Sequence, residues 1–212
     1  MNIQPFFSVI ITTYNRLPLL MRAISSLISQ TDEDWEAIIV DDESTDNTHI
    51  RLLPYLRIYD RIRYFKKTHS GDPLSKNIGI WASKGRYITF LDSDDEYEPS
   101  HLQTRKSLLL HNPTTEFLYG GAKITGNPYV PDRFNPAMSI YLRECSIGGT
   151  FFIERKVMFA LNGFKNILLG SDADLFDRAQ HSRVVMQETN IPTYIYHHDT
   201  QDSITNAIFY NE

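Results

Sequence analysis

Three short apolar runs, each closing on polar residues, constrain this chain most. Phe7 to Thr13 (FSVIITT) leads into Tyr14-Asn15, Glu36 to Val40 (EAIIV) into Asp41-Asp42, and Tyr87 to Leu91 (YITFL) into Asp92-Ser93-Asp94-Asp95. Such runs, short and rich in β-branched residues, read as buried strands. Between the first two, Leu20, Ala23, Ile24, Leu27 and Ile28 recur at helical spacing, with Pro18 near the helix start. Ser44 to Asn47 supply turn and capping residues for a helix around Thr48 to Leu53. Arg61 to Phe65 reads as another strand, and Leu74 to Ser83 as a helix closed by Lys84-Gly85 with the glycine as its left-handed cap. Alternation of this kind predicts an α/β fold, a mostly parallel central sheet with helices on both faces. Ligands bind such sheets beyond the carboxyl ends of the strands, so the three polar clusters are expected on one rim.

The second half is less regular. Ser100-His101-Leu102-Gln103 resembles a capping box, opening a helix that stops before Asn112-Pro113. Phe117 to Ile124 is expected as one strand, Thr125 to Cys145 as a long loop, and Thr150 to Ile153 as a short strand. Glu154 to Leu161 and Asp172 to Gln180 read as helices, and Val184 to Glu188 as a last core strand. With 212 residues and no linker or repeat, residues 1–212 are expected to form one domain. Residues to about 98 make one half and residues from about 99 the other.

Composition excludes several functions. A net charge of -5 and no Lys/Arg run argue against nucleic acid as partner. The single cysteine, Cys145, cannot form an internal disulfide, which fits a reducing compartment. No apolar run approaches the roughly 20 residues of a membrane helix, and the start lacks the basic-then-apolar pattern of a secretory signal. The chain reads as cytoplasmic, with peripheral membrane contact left open. No G-x-G-x-x-G follows a strand, which disfavours a dinucleotide oxidoreductase. A phosphatase with a D-x-D nucleophile would carry the motif after its first strand and a small hydroxyl residue two places later, where this chain has Glu96.

Asp92-x-Asp94 supplies an incomplete oxygen cage of the kind that suits Mg²⁺ or Mn²⁺, which take one or two carboxylates and complete their shell with phosphates and water. Alone, the motif reads equally as an acidic turn capping the next helix. Its place in line with two other polar strand ends favours a site. Asp41-Asp42 can accept hydrogen bonds from a nucleobase imide or a ribose, or simply make a turn. Thr12 can reflect β-propensity, and Asn15 can cap the next helix. Lys76 can balance phosphate charge or lie on a solvated face. Asp172 and Asp174 can be a general base and its neighbour or ordinary acids at a helix start. His197-His198 can include a third metal ligand or lie exposed after a strand. Gly79, inside a helical pattern, costs about 1 kcal/mol relative to alanine and suggests close backbone packing.

SVIITTYNR, AISSLISQT, WEAIIVDDESTDNT, SKNIGIWASKGRYITFLDSDDEYEP and NGFKNILLGSDADLF occur in one order. In this the chain resembles the inverting family-two glycosyltransferases of GT-A fold, from about Ser8 to His198. The resemblance implies a nucleotide-diphospho-sugar donor (commonly UDP-linked), a divalent metal, Mn²⁺ or Mg²⁺, and a carbohydrate or lipid-linked glycan as hydroxyl acceptor, in surface polysaccharide or glycoconjugate synthesis. It makes residues 1–98 the donor half and 99–212 the acceptor half. It implies that Thr12, Tyr14 and Asp42, with Asp41 beside it, hold the nucleobase and that Asp92 and Asp94 hold ribose, metal and diphosphate; Asn15 and Ser93 are expected among the donor-binding residues. Lys76 falls where the family commonly has arginine, and keeps the charge without the fork. Gly148-Gly149 precedes the strand on the acceptor side. Asp172 falls on the candidate base, preceded by Ser171 where the family has an acid, and His198 lies near a histidine that helps bind the donor. A non-catalytic nucleotide-sugar or glycan-binding module of the same fold is the alternative expectation, separable by assaying sugar release.

Overall fold

The computed structural model describes residues 4–198 except 136 and 168. The first half follows the predicted alternation. β1 (Phe7–Thr13), α1 (Leu17–Ile28), β2 (Trp35–Asp41), α2 (Thr48–Ile58), β3 (Ile62–Lys66), α3 (Asp72–Ala82) and β4 (Tyr87–Phe90) come in order. β5 (Glu96–Tyr97), α4 (His101–His111), β6 (Phe117–Tyr119), β7 (Ala122–Gly126), β8 (Tyr129–Pro131) and β9 (Ser139–Tyr141) come next. The described chain closes with β10 (Phe152–Glu154), α5 (Arg155–Ala160), α6 (Ser171–Gln180), β11 (Met186–Glu188) and β12 (Tyr194–His198).

The main sheet has seven strands in the order β11-β6-β10-β4-β1-β2-β3. All run parallel except β10, which is antiparallel to both β4 and β6. Alternation along the strands feeds two apolar layers. Val9, Ile11, Ala37 and Ile39 pack with α1, α2 and α4 on one face, while Ile10, Ile38 and Val40 pack with α3, α5 and α6 on the other. Full burial of one such side chain contributes roughly 1.5–3 kcal/mol, so the core alone fixes which way each strand faces. Gly79 meets the expectation of close packing, since a Cβ there would collide with Ile10.

Several local expectations are corrected. Gly85 does not cap α3 in a left-handed conformation. α3 ends at Ser83 with extended backbone, and Gly85 is needed because a Cβ would strike the backbone of Phe7 and Ser8. The capping box at Ser100 is not formed, and Gln103 instead accepts from the Thr31 hydroxyl at 2.9 Å. α2 continues past Leu53 through Pro54 to Ile58. The expected strand Phe117 to Ile124 is cut in two by Gly120 and Gly121, both at positive φ. β6 stays in the main sheet, while β7 joins a second, three-stranded sheet β5-β12-β7. The expected loop from Thr125 to Cys145 holds the antiparallel pair β8 and β9. Met186–Glu188 is an edge strand rather than a core one.

Candidate functional site

A cavity of about 380 Å³ opens beyond the carboxyl ends of β1, β2 and β4, the position a parallel sheet reserves for ligands. Its wall includes Thr12, Tyr14, Asp42, Lys76, Asp92, Ser93, Asp94 and Asp172 from the sequence reading. Asn15, Asp41 and His198 lie outside its lining. Asn15, at φ 51°, accepts the Thr45 amide at 2.7 Å and so ties the β1 end to the β2 end. Asp41 is fully buried and accepts from the Ser44 amide (2.6 Å) and the Tyr64 hydroxyl. In this structure both side chains tie loop backbone together at the strand ends.

Asp42 is nearly buried and accepts from Lys67 and the Ser70 amide on one oxygen, and from the Gly71 amide on the other. Burial pushes its pKa up, but the Lys67 contact and the two amides outweigh it and hold the carboxyl below the usual aspartate range. Asp42 therefore organises the 67–71 loop from the cavity edge. The half-exposed ring of Tyr14 packs on His69, centroids 4.4 Å apart, and both line the cavity.

Leu91 donates to Ile10, extending the β4 alignment, and the chain then turns, with the Asp95 amide donating to the Asp92 carbonyl at 3.0 Å. This turn aims Asp92 and Asp94 into the cavity. Lys76, expected on a solvated helix face or against phosphate, is buried. Its Nζ lies 2.9 Å from both Asp92 Oδ1 and Asp72 Oδ2. Burial pulls the lysine pKa down, yet the two carboxylates more than compensate and hold it well above its ordinary value. Asp72 in turn accepts the Thr12 hydroxyl at 2.5 Å. Asp94 Oδ2 pairs with Arg16 at 3.1 Å, and Arg22 donates to the Asp94 carbonyl. Asp95 turns away, accepting the Tyr194 hydroxyl (2.6 Å) and the His197 amide (2.8 Å). Burial, and then the charges of Asp94 and Asp92, raise its pKa well above the ordinary value. Three neighbouring carboxyl groups thus gather at the cavity floor, two of them paired with a cation. The donor set of Asp92 and Asp94, oxygen only and open toward space for phosphate and water, fits a hard divalent cation.

Asp172 stands on another wall, in the first turn of α6, where Gly170 at positive φ lets the chain enter the helix. It accepts the Gly148 amide at 3.0 Å and the Ala173 amide at 3.1 Å. Burial raises its pKa. Lys76 and the Gly148 amide oppose the rise, and Asp92 adds to it. Asp174, by contrast, faces Lys165 and Arg178.

His198 takes a different place from His197. It is buried outside the cavity lining with Nδ1 2.6 Å from the Asn127 carbonyl, and among the described residues no group of three or more His, Cys, Asp and Glu could hold a metal. Neighbours on a strand point to opposite faces, so it is His197 that lines the cavity, with Nε2 2.8 Å from Glu96. Sequence reasoning also missed roles for Arg16, His69, Asp72 and Tyr196, which all line the cavity. Gly71-Asp72-Pro73 carried a usable signal, since proline in the first turn places α3's start, and hence Asp72, on the rim.

The model of the family described as "Glycosyl transferase family 2" matches residues 8–160. An Escherichia coli relative named "UDP-Glc:alpha-D-GlcNAc-diphosphoundecaprenol beta-1,3-glucosyltransferase WfgD" is 32% identical over 146 residues, 66% of this chain and 56% of that protein. A Bacillus subtilis relative, "Putative teichuronic acid biosynthesis glycosyltransferase TuaG", is 32% identical over 187 residues, 87% of this chain and 67% of that one. Residues 1–349 of S. aureus TarS, solved in complex with UDP-GlcNAc, superpose with a TM-score of 0.77 at 19% identity, covering 93% of this chain and 60% of that one. The match spans 56% of WfgD, 67% of TuaG and 60% of the TarS chain.

Proposed function

This chain belongs to glycosyl transferase family 2, and from that premise we propose that it moves a sugar from a nucleoside-diphosphate donor, UDP-linked, to a hydroxyl of a carbohydrate or lipid-linked glycan, inverting the anomeric carbon. The carrying observation is one cavity that holds Asp92 and Asp94 on its floor and Asp172, with a raised pKa, on a different wall. Two chemically distinct carboxylate stations are what such a transfer needs. One faces the departing diphosphate and the other faces the attacking hydroxyl.

In this reading Tyr14 and Thr12 seat the nucleoside, with the 67–71 loop held in place by Asp42. Asp92 and Asp94 would hold Mn²⁺ or Mg²⁺, which would offset the negative charge that gathers on the diphosphate. Lys76 and Ser93 stand beside the phosphate path. Asp172 takes the proton of the acceptor hydroxyl as its oxygen forms a bond to the anomeric carbon. The bond from that carbon to the diphosphate oxygen breaks, and its electrons leave with the nucleoside diphosphate. A base with a pKa nearer the working pH transfers that proton more effectively than an ordinary aspartate. Gly148 donates to Asp172 and orients it.

The names of the relatives support a lipid-linked acceptor. Among the described residues no helix is long and apolar enough to cross a membrane. We place the work at the cytoplasmic face of a membrane by peripheral contact. The test is a panel of nucleoside diphosphates and nucleotide-sugars, scored for thermal stabilisation and for sugar release with Mn²⁺. UDP is expected to raise the melting temperature. If no nucleoside diphosphate shifts it in Mn²⁺, the donor assignment fails, and if donors bind but no acceptor or water ever receives the sugar, the catalytic assignment fails.

A further inference from the structure

The two carboxylates that would hold the metal are already paired with cations of the protein. Lys76 Nζ sits 2.9 Å from Asp92 Oδ1, and Arg16 Nη1 sits 3.1 Å from Asp94 Oδ2. We infer that Lys76 and Arg16 are hand-over cations, which leave the aspartates for the diphosphate and thereby make metal binding and diphosphate binding depend on each other. The inference rests on the donor site proposed above.

The argument is one of charge and of where each cation can go. A divalent ion placed on Asp92 and Asp94 competes for the same oxygens and is repelled by both side chains. Asp72 can take up Lys76, but the repulsion is fully relieved only when an anion reaches the cavity. A diphosphate supplies oxygens for both cations, and the planar guanidinium of Arg16 matches such an anion with two parallel hydrogen bonds.

Lys76 is built to let go. A buried ammonium stripped of its partner is costly, yet Lys76 has a second carboxylate, Asp72, at 2.9 Å, itself fixed by the Thr12 hydroxyl at 2.5 Å. When Asp92 turns to the metal, Asp72 keeps Lys76 paired. Arg16 is one-fifth exposed and lines the same cavity, so a diphosphate bound there comes within its reach.

The experiment measures Mn²⁺ affinity by calorimetry with and without UDP, on the intact chain. In the wild type UDP should tighten Mn²⁺ binding by roughly 10- to 100-fold, and Mn²⁺ should tighten UDP by the same factor, because coupling is reciprocal. Arg16→Ala should move the two affinities in opposite directions. Mn²⁺ alone should bind about 3- to 10-fold more tightly and UDP more weakly, so that the coupling factor shrinks several-fold. Asp72→Asn should do the reverse to the metal. It leaves Lys76 with Asp92 alone and weakens Mn²⁺ binding whether or not UDP is present. Arg16→Lys, which keeps the charge and loses the fork, should fall between wild type and Arg16→Ala. A general loss of structure weakens every ligand together and cannot tighten Mn²⁺. If Arg16→Ala leaves both the metal affinity and the coupling factor at the wild-type values, or if Arg16→Ala and Asp72→Asn shift Mn²⁺ in the same direction, the hand-over is wrong while the donor site stands. If the wild type binds no UDP even in Mn²⁺, the donor site itself is wrong and the hand-over falls with it.

Discussion

The floor of the cavity and the wall that carries Asp172 are built by different means. The floor is made where parallel strands stop. β1, β2 and β4 lie side by side in fixed register, so whatever follows them must share one rim. The Asp172 wall is made where the second half of the chain leaves the main sheet. It depends on the break at Gly120-Gly121, on β12 lying between β5 and β7, and on the first turn of α6. The chemistry differs accordingly. On the floor Asp42 is held ionised by an ammonium and amides, and Asp92 and Asp94 are each paired with a cation. On the wall Asp172 is pushed toward its neutral form by burial. Regular strand ends suit the holding of a charged ligand, and the irregular wall suits a proton acceptor whose environment must be tuned.

Exchanging the two kinds of carboxylate for neutral groups tests that division most severely. Asp172→Asn should lower turnover by about 10²- to 10⁴-fold, the usual worth of a positioned general base, while UDP still raises the melting temperature in Mn²⁺. Asp94→Ala should lower turnover by about 10²- to 10³-fold, as for loss of a group that stabilises developing charge, and should abolish the UDP-induced shift as well. If Asp172→Asn turns over like the wild type, the base lies elsewhere. If Asp94→Ala keeps the shift, the floor is not where the diphosphate sits.

A backbone test separates the two regions next. Gly121 has φ +79°, and a Cβ there would run into the Ile191 carbonyl. The left-handed conformation costs a non-glycine residue about 1–2 kcal/mol, and overpacking adds about 1–3 kcal/mol. Gly121→Ala should therefore destabilise the protein by about 2–5 kcal/mol, read as a fall in denaturant midpoint. Its donor affinity should hold at temperatures where the protein stays folded, because the floor belongs to the other sheet. A matching loss of UDP affinity under those conditions would show that the two regions are mechanically one.

This contrast also explains what could be read from the sequence. FSVIITT, EAIIV and YITFL were legible because burial of an apolar run is local, and their polar ends followed from chain direction alone. The cavity could thus be expected from residues 8–95. The gap lay in pairings that cross long stretches of chain. Asp42 and Asp41 are adjacent in sequence, but only the packing of Tyr64 and the 67–71 loop decides that Asp41 is internal and Asp42 faces the cavity. Asp72 reads as an ordinary helix-start acid until Lys76 and Thr12 are brought to it. His197 and His198 differ by one residue, and a one-residue change of register exchanges their faces.

The carboxylates' opposite pKa shifts predict a smaller, graded effect. A lowered pKa keeps Asp42 ionised, so the stability it lends is complete above the ordinary aspartate range and is lost only as pH falls through its depressed folded value. Asp172 is raised, so it gains its proton earlier on the way down and acceptor deprotonation fails first. As pH falls, kcat/KM should decline while UDP-induced stabilisation persists, with the acid limb above the ordinary aspartate pKa of about 3.9. Coincident loss of both signals would mean that the wall carries no tuned base.

The smallest effect expected is at His198, and it decides a point of register. The β12 pairing to β7 aligns His198 with Gly126 and turns it away from the cavity, against the Asn127 carbonyl, while His197 lines the cavity beside Glu96. Removing the His198 ring should cost about 1 kcal/mol of stability for its hydrogen bond, without changing the Mn²⁺ concentration needed for half-maximal UDP stabilisation. His197→Ala, by contrast, opens the cavity wall beside Asp95, whose carboxylate accepts the amide of that same residue, and should weaken donor binding measurably. A His198→Ala variant whose Mn²⁺ requirement rises more than about fivefold, a coupling of the size two linked sites show, would turn β12 over and return that histidine to the metal.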